Sequence, residues 1–257
     1  MEKLIDIIKI IEDFAPLDLQ GDFDNCGLKL GNINTHITGI IVTLDTNCDV
    51  VAEAIDKNCN LIIEHHPSIF NAIKSLDWNL PLTKAVHLAI KNDIAVYSAH
   101  TNIDFCKNGL NDYVAGQAGL CEVTCFDNAG NPRIGKLKEK TTLKDYAEKL
   151  KSVFNDNNIT TIGNIDKTIE KVAIVNGGGG SSTSDLLFAI EHGADVFVTG
   201  DVKYNVARLA KDANYAIIQV GHYNSEQGFG ELIENILKEA DISVPVYKAT
   251  RLLNPYN

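Results

Sequence analysis

Three short segments of this sequence place imidazoles and carboxylates directly after apolar runs that predict strands. They are the His-His-Pro step at 65–67, the segment His100–Asp104 and the segment His222–Glu226. Imidazole and carboxylate groups are ligands that suit zinc, manganese and iron. Five such ligands exceed the need of one four-coordinate zinc, and a bridging carboxylate would allow two metal ions about 3.5–4 Å apart. We therefore predict a dinuclear metal site held by His65, His66, Asp104, His222 and Glu226.

Each of the three segments also has a purely structural interpretation. Neighbouring side chains of a regular strand point to opposite faces, so one of His65 and His66 could pack in the core while the other is solvated. Both imidazoles reach one cleft only if the backbone turns where the strand ends. His222 and Glu226 are four residues apart and share one side of any helical turn, but Asn224 and Ser225 between them could equally be helix caps.

Two further polar segments follow predicted strands. The segment from Val198 to Asn205 could place Asp201, Lys203 and Asn205 on the lining of the same cleft, or it could be a turn followed by a helix start with a surface lysine. The glycine run 177–180 could cradle an anion with its backbone amides. It lacks the Lys-Ser/Thr ending of a phosphate-binding loop, so the alternative is a tight strand-to-helix turn.

The elements that must position these residues alternate along the chain between short β-branched runs and helical stretches. The predicted strands are Ile37–Leu44, Asn60–Ile63, Ile94–Ser98, Lys171–Val175, Asp195–Thr199 and Tyr215–Val220. The predicted helices are an N-terminal amphipathic helix that stops near Pro16, Asp49–Lys57, Pro81–Asn92, Ser184–His192 and Glu226–Ala240. This alternation predicts an α/β fold with mainly parallel sheets, in which ligands collect at the carboxyl ends of strands.

The chain divides into two halves that resemble each other. The turn-rich segment Phe126–Arg133 predicts the boundary, with one α/β half at 1–126, possibly completed by 241–257, and a second at 127–240. A strand followed by His-x-Asn-x-acid occurs in both halves, at His100–Asp104 and His222–Glu226. Coincidence between buried strands is the alternative to an internal duplication. If the duplication is real, the metal cleft would lie between the two halves.

Composition restricts the function classes. The net charge of -11 disfavours broad binding to phosphate backbones, although a pocket for one nucleotide remains open because bound metal would supply positive charge. We find no apolar run long enough to span a bilayer and no signal-peptide pattern, which predicts a cytoplasmic protein without a membrane partner. The six cysteines form no CxxC pair, so reduced thiols rather than a cysteine zinc site are expected.

Taken together, these motifs resemble the Nif-three-like family, often called GTP cyclohydrolase I type 2 homologs. The resemblance covers nearly the whole chain and also includes the segment Asp24–Leu28, the glycine run and the segment around Asp201. It implies a dinuclear metal site between two α/β halves and a toroidal homohexamer. It makes the five predicted ligands those of the family and places His100 close to the site. The chain has Phe23 where the family has Trp, and Asn205 where it has His, so any proton transfer through that histidine is not expected here.

Three hypotheses for function follow. The first is a metal-dependent hydrolase with two divalent ions of zinc, iron or manganese, acting on a nucleotide or on a related cyclic C–N or phosphoester substrate, with His100 as the catalytic acid or base. The second is a non-catalytic, metal-binding hexameric scaffold or regulatory protein. The third is that the histidines are structural and bind no metal. Fold and metal ligands by themselves do not choose a substrate.

Overall fold

The computed structural model describes residues 2–125 and 132–256. The helices are α1 Leu4–Phe14, α2 Cys48–Asp56, α3 Pro81–Lys91, α4 Thr101–Phe105, α5 Leu110–Gln117, α6 Leu143–Val153, α7 Thr183–Glu191, α8 Tyr204–Asp212, α9 His222–Glu226 and α10 Phe229–Glu239. The strands are β1 Gly27–Leu30, β2 Ile40–Thr43, β3 Leu61–Glu64, β4 Ala95–Ser98, β5 Leu120–Thr124, β6 Arg133–Thr142, β7 Thr160–Ile162, β8 Thr168–Ile174, β9 Val196–Thr199, β10 Ala216–Gln219 and β11 Val246–Lys248. Short 3₁₀ turns occupy Leu17–Leu19 and Gly177–Ser181.

The predicted α/β class is confirmed, with two sheets and alternating helices and strands. The six predicted strands correspond to β2, β3, β4, β8, β9 and β10, with ends that differ by a few residues. Across the two described ranges, none of the helices combines the length and apolar character that crossing a bilayer requires.

The described chain forms two compact units that differ from the predicted halves. Unit 1 comprises Met1–Cys106 with Phe229–Asn257, and unit 2 comprises Lys107–Gly228. The predicted boundary lies mostly at residues 126–131, which are outside the described residues. The division into a half at 1–126 and a half at 127–240 therefore stays a prediction.

Unit 1 is built on a five-stranded sheet in the order β1-β4-β3-β2-β11, and only β1 runs antiparallel to its neighbour. The central strands β2 and β3 are buried at every position and apolar except at their last residues, Thr43 and Glu64, as expected for strands covered on both faces. Helices α2 and α3 pack together against this sheet and share a core cluster with alternate strand residues such as Ile41, Ile62 and Val96. The carboxyl ends of β2, β3 and β4 consequently meet at one edge.

The N-terminal helix follows from its apolar periodicity. Its stripe of Leu4, Ile7, Ile8 and Ile11 is buried, and α1 packs against α10. The carboxylate of Asp6 accepts a hydrogen bond from the backbone N–H of Lys3 at 2.9 Å and so caps the first turn.

Unit 2 contains a six-stranded sheet in the order β5-β6-β8-β9-β10-β7. The β8, β9 and β10 strands are parallel, whereas β6 and β5 on one side and β7 on the other are antiparallel additions. The second sheet is therefore mixed, and parallel pairing is confined to the strands that the apolar runs predict. Its core is formed by Phe197, Ile217, Leu186 and Val206 with their neighbours.

The helix predicted over Glu226–Ala240 is observed as α10, with a later start, and a separate short helix precedes it. Helix α9 ends at Glu226 and α10 begins at Phe229. Gly228 lies between them, and a Cβ atom at this position would lie 2.4 Å from Cε1 of Tyr113. Glycine is a poor helix former but permits this close approach of an aromatic ring.

A buried carboxylate attaches the C-terminal segment of unit 1. The Glu53 side chain on α2 accepts hydrogen bonds from the backbone N–H groups of Thr250 and Arg251 at 2.9 and 3.0 Å, and from Lys57 Nζ at 2.8 Å. Burial alone would raise the pKa of Glu53. The hydrogen bonds from Lys57, Thr250 and Arg251 together outweigh burial and lower that pKa to about 2.

Replacement of this carboxylate gives a pH-dependent prediction. Because the folded-state pKa of Glu53 is lowered from 4.5 to about 2, we expect E53Q to reduce the free energy of unfolding by at most about 3 kcal/mol at pH 7. The stabilisation is complete above the unfolded-state pKa, and it is lost as the pH falls toward 2. Urea denaturation of both proteins between pH 2.5 and 7 measures the difference.

The matched control is D56N on the same helix. Asp56 pairs with Arg251 Nη2 at 2.5 Å, but its side chain is 60% exposed, so a change below about 0.5 kcal/mol is expected. A difference between E53Q and the unmodified protein that stays constant across this pH range would contradict the role assigned to Glu53.

Candidate metal centre

In unit 1, the two adjacent histidines lie just beyond the carboxyl end of β3. His65 is completely buried, and its Nδ1 atom lies 2.8 Å from the carbonyl oxygen of Ala99. A carbonyl oxygen only accepts hydrogen bonds, so Nδ1 carries the proton and Nε2 presents its lone pair. The ring packs on Phe229 with centroids 4.8 Å apart. The first histidine is thus held by both packing and a hydrogen bond.

His66 and His100 are oriented in the same way, but by carboxylates. Nδ1 of His66 lies 3.0 Å from Oδ1 of Asp45, which follows β2. Nδ1 of His100 lies 2.8 Å from Oδ1 of Asp24. The ring centroid of His65 lies 4.9 Å from that of His66 and 5.1 Å from that of His100. The backbone turn after β3 therefore does bring both adjacent imidazoles to one place.

These three histidines form one candidate group of metal donors. Each offers a ring nitrogen, and the three atoms lie within 4.8 Å of one another. The Asp104 carboxylate on α4 adds a fourth donor, since its Oδ1 lies 3.7 Å from Nε2 of His65. The predicted ligands His65, His66 and Asp104 thus lie together in unit 1, and His100 lies as close to the histidines as a ligand would.

Asp24, which orients His100, is itself held by several hydrogen bonds. It accepts hydrogen bonds from the backbone N–H of Thr101 at 3.0 Å and from the Thr101 hydroxyl as well as contacting His100. Burial alone would raise the pKa of Asp24, but the hydrogen bonds and the charge of His100 outweigh it and hold the pKa well below its usual range. Asp24 therefore stays ionised and fixes the orientation of His100.

A second buried carboxyl lies beneath the turn after β3. Oε1 of Glu64 accepts a hydrogen bond from the backbone N–H of Ser68 and one from the Ser98 hydroxyl, both at 2.7 Å. Burial raises the pKa of Glu64. These bonds connect the segment after β3 to the end of β4, and so stiffen the backbone that carries His65 and His66.

In unit 2, the segment after β10 carries the other predicted ligands. His222 and Glu226 are the first and last residues of α9, and His222 Nε2 lies 3.2 Å from Glu226 Oε1. A tetrahedral ion with bonds of about 2.0–2.1 Å spaces neighbouring ligand atoms roughly 3.3 Å apart. Nδ1 of His222 lies 2.7 Å from Oδ2 of Asp201, which has a φ of 48° in the turn after β9. A carboxylate thus orients this histidine as well.

The two carboxylates around His222 change its proton affinity. Burial alone would lower the pKa of His222, but the hydrogen bond and charge of Glu226, followed by those of Asp201, outweigh it and raise the pKa to about 9. A metal ion that binds Nε2 must therefore displace a proton at neutral pH.

The glycine run at 177–180 packs closely against the side chains of Glu226 and His222. A Cβ atom on Gly177, whose φ is 56°, would lie 2.0 Å from Oε1 of Glu226 and 3.1 Å from Nε2 of His222. The N–H of Gly177 donates to the Ser225 hydroxyl at 2.9 Å, and a Cβ atom on Gly180 would lie 2.3 Å from the Gly200 carbonyl oxygen. The run is thus the tight turn that the sequence analysis offered as one alternative, and its glycines make room for Glu226.

The loop that follows α6 forms hydrogen bonds with the start of α9. The buried Asp156 carboxylate accepts the backbone N–H of Gly221 at 2.7 Å. Nδ2 of Asn224 donates to the carbonyl oxygens of Phe154 and Asn155 at 3.2 and 3.0 Å. Asn224 therefore binds the backbone of a neighbouring loop, which the helix-cap interpretation did not foresee.

The predicted lining residues Lys203 and Asn205, and the histidines His87 and His192, have different environments. Lys203 and Asn205 are exposed at the start of α8. Their lining role stays a prediction. His87 stacks on Trp78, and Nδ1 of His192 bonds to the Phe188 carbonyl oxygen of its own helix. Neither belongs to a donor group of the described part of the chain.

Sequence reasoning missed three residues that shape the site. Asp45 follows a predicted strand directly, and this position at a strand's carboxyl end was a signal that could have found it. Asp24 entered only as part of a motif, and nothing in its neighbourhood along the chain points to His100. Gly177 was predicted only as part of a turn, and no local pattern in the sequence shows that Glu226 approaches it in the folded chain.

Because Gly177 leaves space for Glu226, we expect alanine substitutions at Gly177 and at its neighbour Gly178 to differ in their effect on metal affinity. In G177A the new methyl group meets Glu226 Oε1, so we expect metal affinity to fall about 10- to 100-fold. In G178A the nearest atom, Cε1 of His222, would be 3.8 Å away, and an affinity within about threefold of the unmodified protein is expected. Competition with a chromophoric chelator measures both. Equal losses in the two variants would show that the glycine turn does not position Glu226.

A family model, named relatives and solved structures all place this chain in the same family. The family described as Duf34/NIF3 (NGG1p interacting factor 3) matches residues 2–255. A Clostridium acetobutylicum protein named GTP cyclohydrolase 1 type 2 homolog is 34% identical over 265 residues, covering 99% of this chain and 98% of that protein.

Two solved structures share the fold over nearly the full length of both chains. Staphylococcus aureus protein SA1388 has a TM-score of 0.92 at 25% identity, with 100% of this chain and 99% of that one covered. Reduced HcgD from Methanocaldococcus jannaschii has a TM-score of 0.80 at 29% identity, with 97% and 98% covered. The chain, with its two candidate donor groups, therefore belongs to the Duf34/NIF3 family.

Proposed function

We propose that this chain is a dinuclear divalent-metal protein that acts as a metal-dependent hydrolase on a nucleotide or a related small cyclic C–N or phosphoester substrate. The proposed ligands are His65, His66, Asp104, His222 and Glu226. Zinc, iron and manganese all suit this mixture of imidazole and carboxylate donors.

One observation carries the metal-binding proposal. In each of His65, His66, His100 and His222, Nδ1 is engaged by an oxygen acceptor at 2.7–3.0 Å. Histidines that ligate metals are almost always oriented in this way, because the bond at one nitrogen fixes the ring and directs the other nitrogen to the ion. The carboxylates of Asp24, Asp45 and Asp201 add negative charge that favours cations.

The donor set therefore fits divalent ions, and the proposed chemistry follows from it. When bound, such ions act as Lewis acids that polarise a substrate and make water more acidic. His100 is the proposed proton-transfer residue, because Asp24 holds its Nδ1–H and leaves Nε2 to accept or deliver a proton. Asp24 is a positioning residue in this scheme.

The choice of a hydrolase rests on the relatives. Curated relatives bear the name GTP cyclohydrolase 1 type 2 homolog, which names a hydrolase of a nucleotide. The toroidal homohexamer and the cytoplasmic location that the sequence analysis implies stay predictions.

Metal analysis tests the centre directly. We expect about two equivalents of metal per chain in protein purified without chelator and reloaded with zinc, manganese or iron, and clearly fewer in H65A and H222A. H192A is the control, because His192 bonds within its own helix and should leave the metal content unchanged. Unmodified protein that takes up no metal, or H65A with full metal content, would overturn the proposal.

Turnover is then measured on the same proteins. A panel of nucleotides, including GTP, and of phosphoesters is screened with and without metal, and hydrolysis that disappears in H65A and H222A supports a hydrolase. Full metal content without turnover of any compound would instead favour the non-catalytic scaffold.

The role of Asp24 gives a separate prediction. D24N removes the charge and allows an amide to donate to Nδ1 of His100, so we expect turnover to fall about 10²-fold or more at unchanged metal content. Nitrogen chemical shifts of the His100 ring should report the loss of the Nδ1–H tautomer. D22N alters an exposed neighbour and should leave both readouts unchanged. Metal loss in D24N would instead identify His100 as a ligand.

A further inference from the structure

A pocket of about 430 Å³ opens beside His66 within unit 1. Asp45 and Thr46 from the end of β2 form one side, the segment 66–73 after β3 forms another, and Leu82 and Thr83 from the first turn of α3 complete the lining. In sheets of this kind, ligands bind in the crevice outside the carboxyl ends of the strands. The volume is within the range of pockets that bind small molecules.

The lining combines an apolar wall with polar groups that are rich in acceptors. Phe70, Ile73 and Leu82 provide apolar surface, and the Phe70 side chain is accessible from the pocket, since the residue is 41% exposed. Asp45 contributes a carboxylate and Asn71 an amide, and no lysine or arginine belongs to the lining residues. Oδ1 of Asp45 already contacts Nδ1 of His66, so the other carboxylate oxygen is the acceptor for a ligand N–H, and the carboxylate repels a phosphate placed against it.

The pocket is connected to the proposed centre through two of its own residues. His66 is both a lining residue and a proposed ligand. The ring of Phe70 lies edge-on to that of His100, with centroids 6.4 Å apart. A flat group that stacks on Phe70 is therefore held next to the residue proposed for proton transfer.

Two buried contacts make the pocket preformed. The backbone N–H of Ser68, on the lining segment, donates to the buried Glu64 carboxyl at 2.7 Å. The Thr83 hydroxyl donates to the carbonyl oxygens of Asp77 and Leu80 and so fixes the first turn of α3. Little ordering is then left to oppose ligand binding.

From this lining we infer that the pocket binds an uncharged planar heterocycle bearing N–H groups, the class of a nucleobase, and that phosphate groups of any such substrate stay outside it. The inference rests on the proposed function and deepens it by naming the part of the substrate that the protein recognises. Stacking on Phe70 and hydrogen bonds to Asp45 supply the recognition, and the negative charge of Asp45 disfavours a phosphate inside the pocket.

The test is equilibrium binding of guanosine to the metal-loaded, full-length protein, measured by calorimetry. We expect F70A to weaken guanosine binding about tenfold, which corresponds to the loss of one stacked base. Y256A removes an aromatic ring of similar size that is 72% exposed in unit 1, and should not change the affinity. Both variants should keep the metal content of the unmodified protein.

A second variant reverses the charge preference. N71K places a cation on the lining, so we expect the affinity for guanosine triphosphate to rise about tenfold, while the affinity for guanosine stays within about threefold. Guanosine that does not bind at millimolar concentration, or binds F70A as tightly as the unmodified protein, overturns the inference. So does an N71K protein with unchanged preference.

Metal content separates this inference from the proposed function. Normal metal content without guanosine binding overturns the pocket assignment alone. Guanosine binding that depends on Phe70 in a protein unable to take up metal supports the pocket and overturns the dinuclear centre.

Discussion

The rest of the site depends on one constraint, the hydrogen bond that fixes Nδ1 of each histidine at a strand's carboxyl end. An imidazole can rotate and can carry its proton on either nitrogen, so without a partner it presents no defined donor. The Ala99 carbonyl oxygen and the carboxylates of Asp24, Asp45 and Asp201 remove both freedoms. Asp45 and Ala99 follow the parallel strands β2 and β4, Asp24 precedes the antiparallel strand β1 of the same sheet, and Asp201 follows β9 of the second sheet.

Both units build their donors from the same local arrangement. In each, two adjacent parallel strands end side by side, β3 with β4 and β9 with β10. In each, the second strand leads into a five-residue helix that carries an acid, Asp104 on α4 and Glu226 on α9. This correspondence supports the internal duplication that the repeated His-x-Asn-x-acid pattern predicts. The sheets differ in their antiparallel strands, which are β1 alone in the first sheet and β5, β6 and β7 at the two sides of the second.

Close packing around the donors comes from residues with little chemistry of their own. Gly177 allows the Glu226 carboxylate to approach the turn after β8, and any side chain there would occupy the position of an oxygen atom. Glu64 contributes by connecting the backbone N–H of Ser68 to the side-chain hydroxyl of Ser98, although this buries a carboxyl group. The positions of the donor atoms thus depend on contacts made by Gly177 and Glu64, which are not donors themselves.

The sequence by itself determined the α/β class, the central strands and the identity of the candidate donors, because apolar periodicity and the position of a polar residue after a strand are local properties. Only the tertiary structure decided that Asp24 and Asp45 orient His100 and His66, since these pairs are far apart along the chain. The same holds for the break between α9 and α10, where the Tyr113 ring meets Gly228. Such contacts arise when the strands assemble, and no local pattern encodes them.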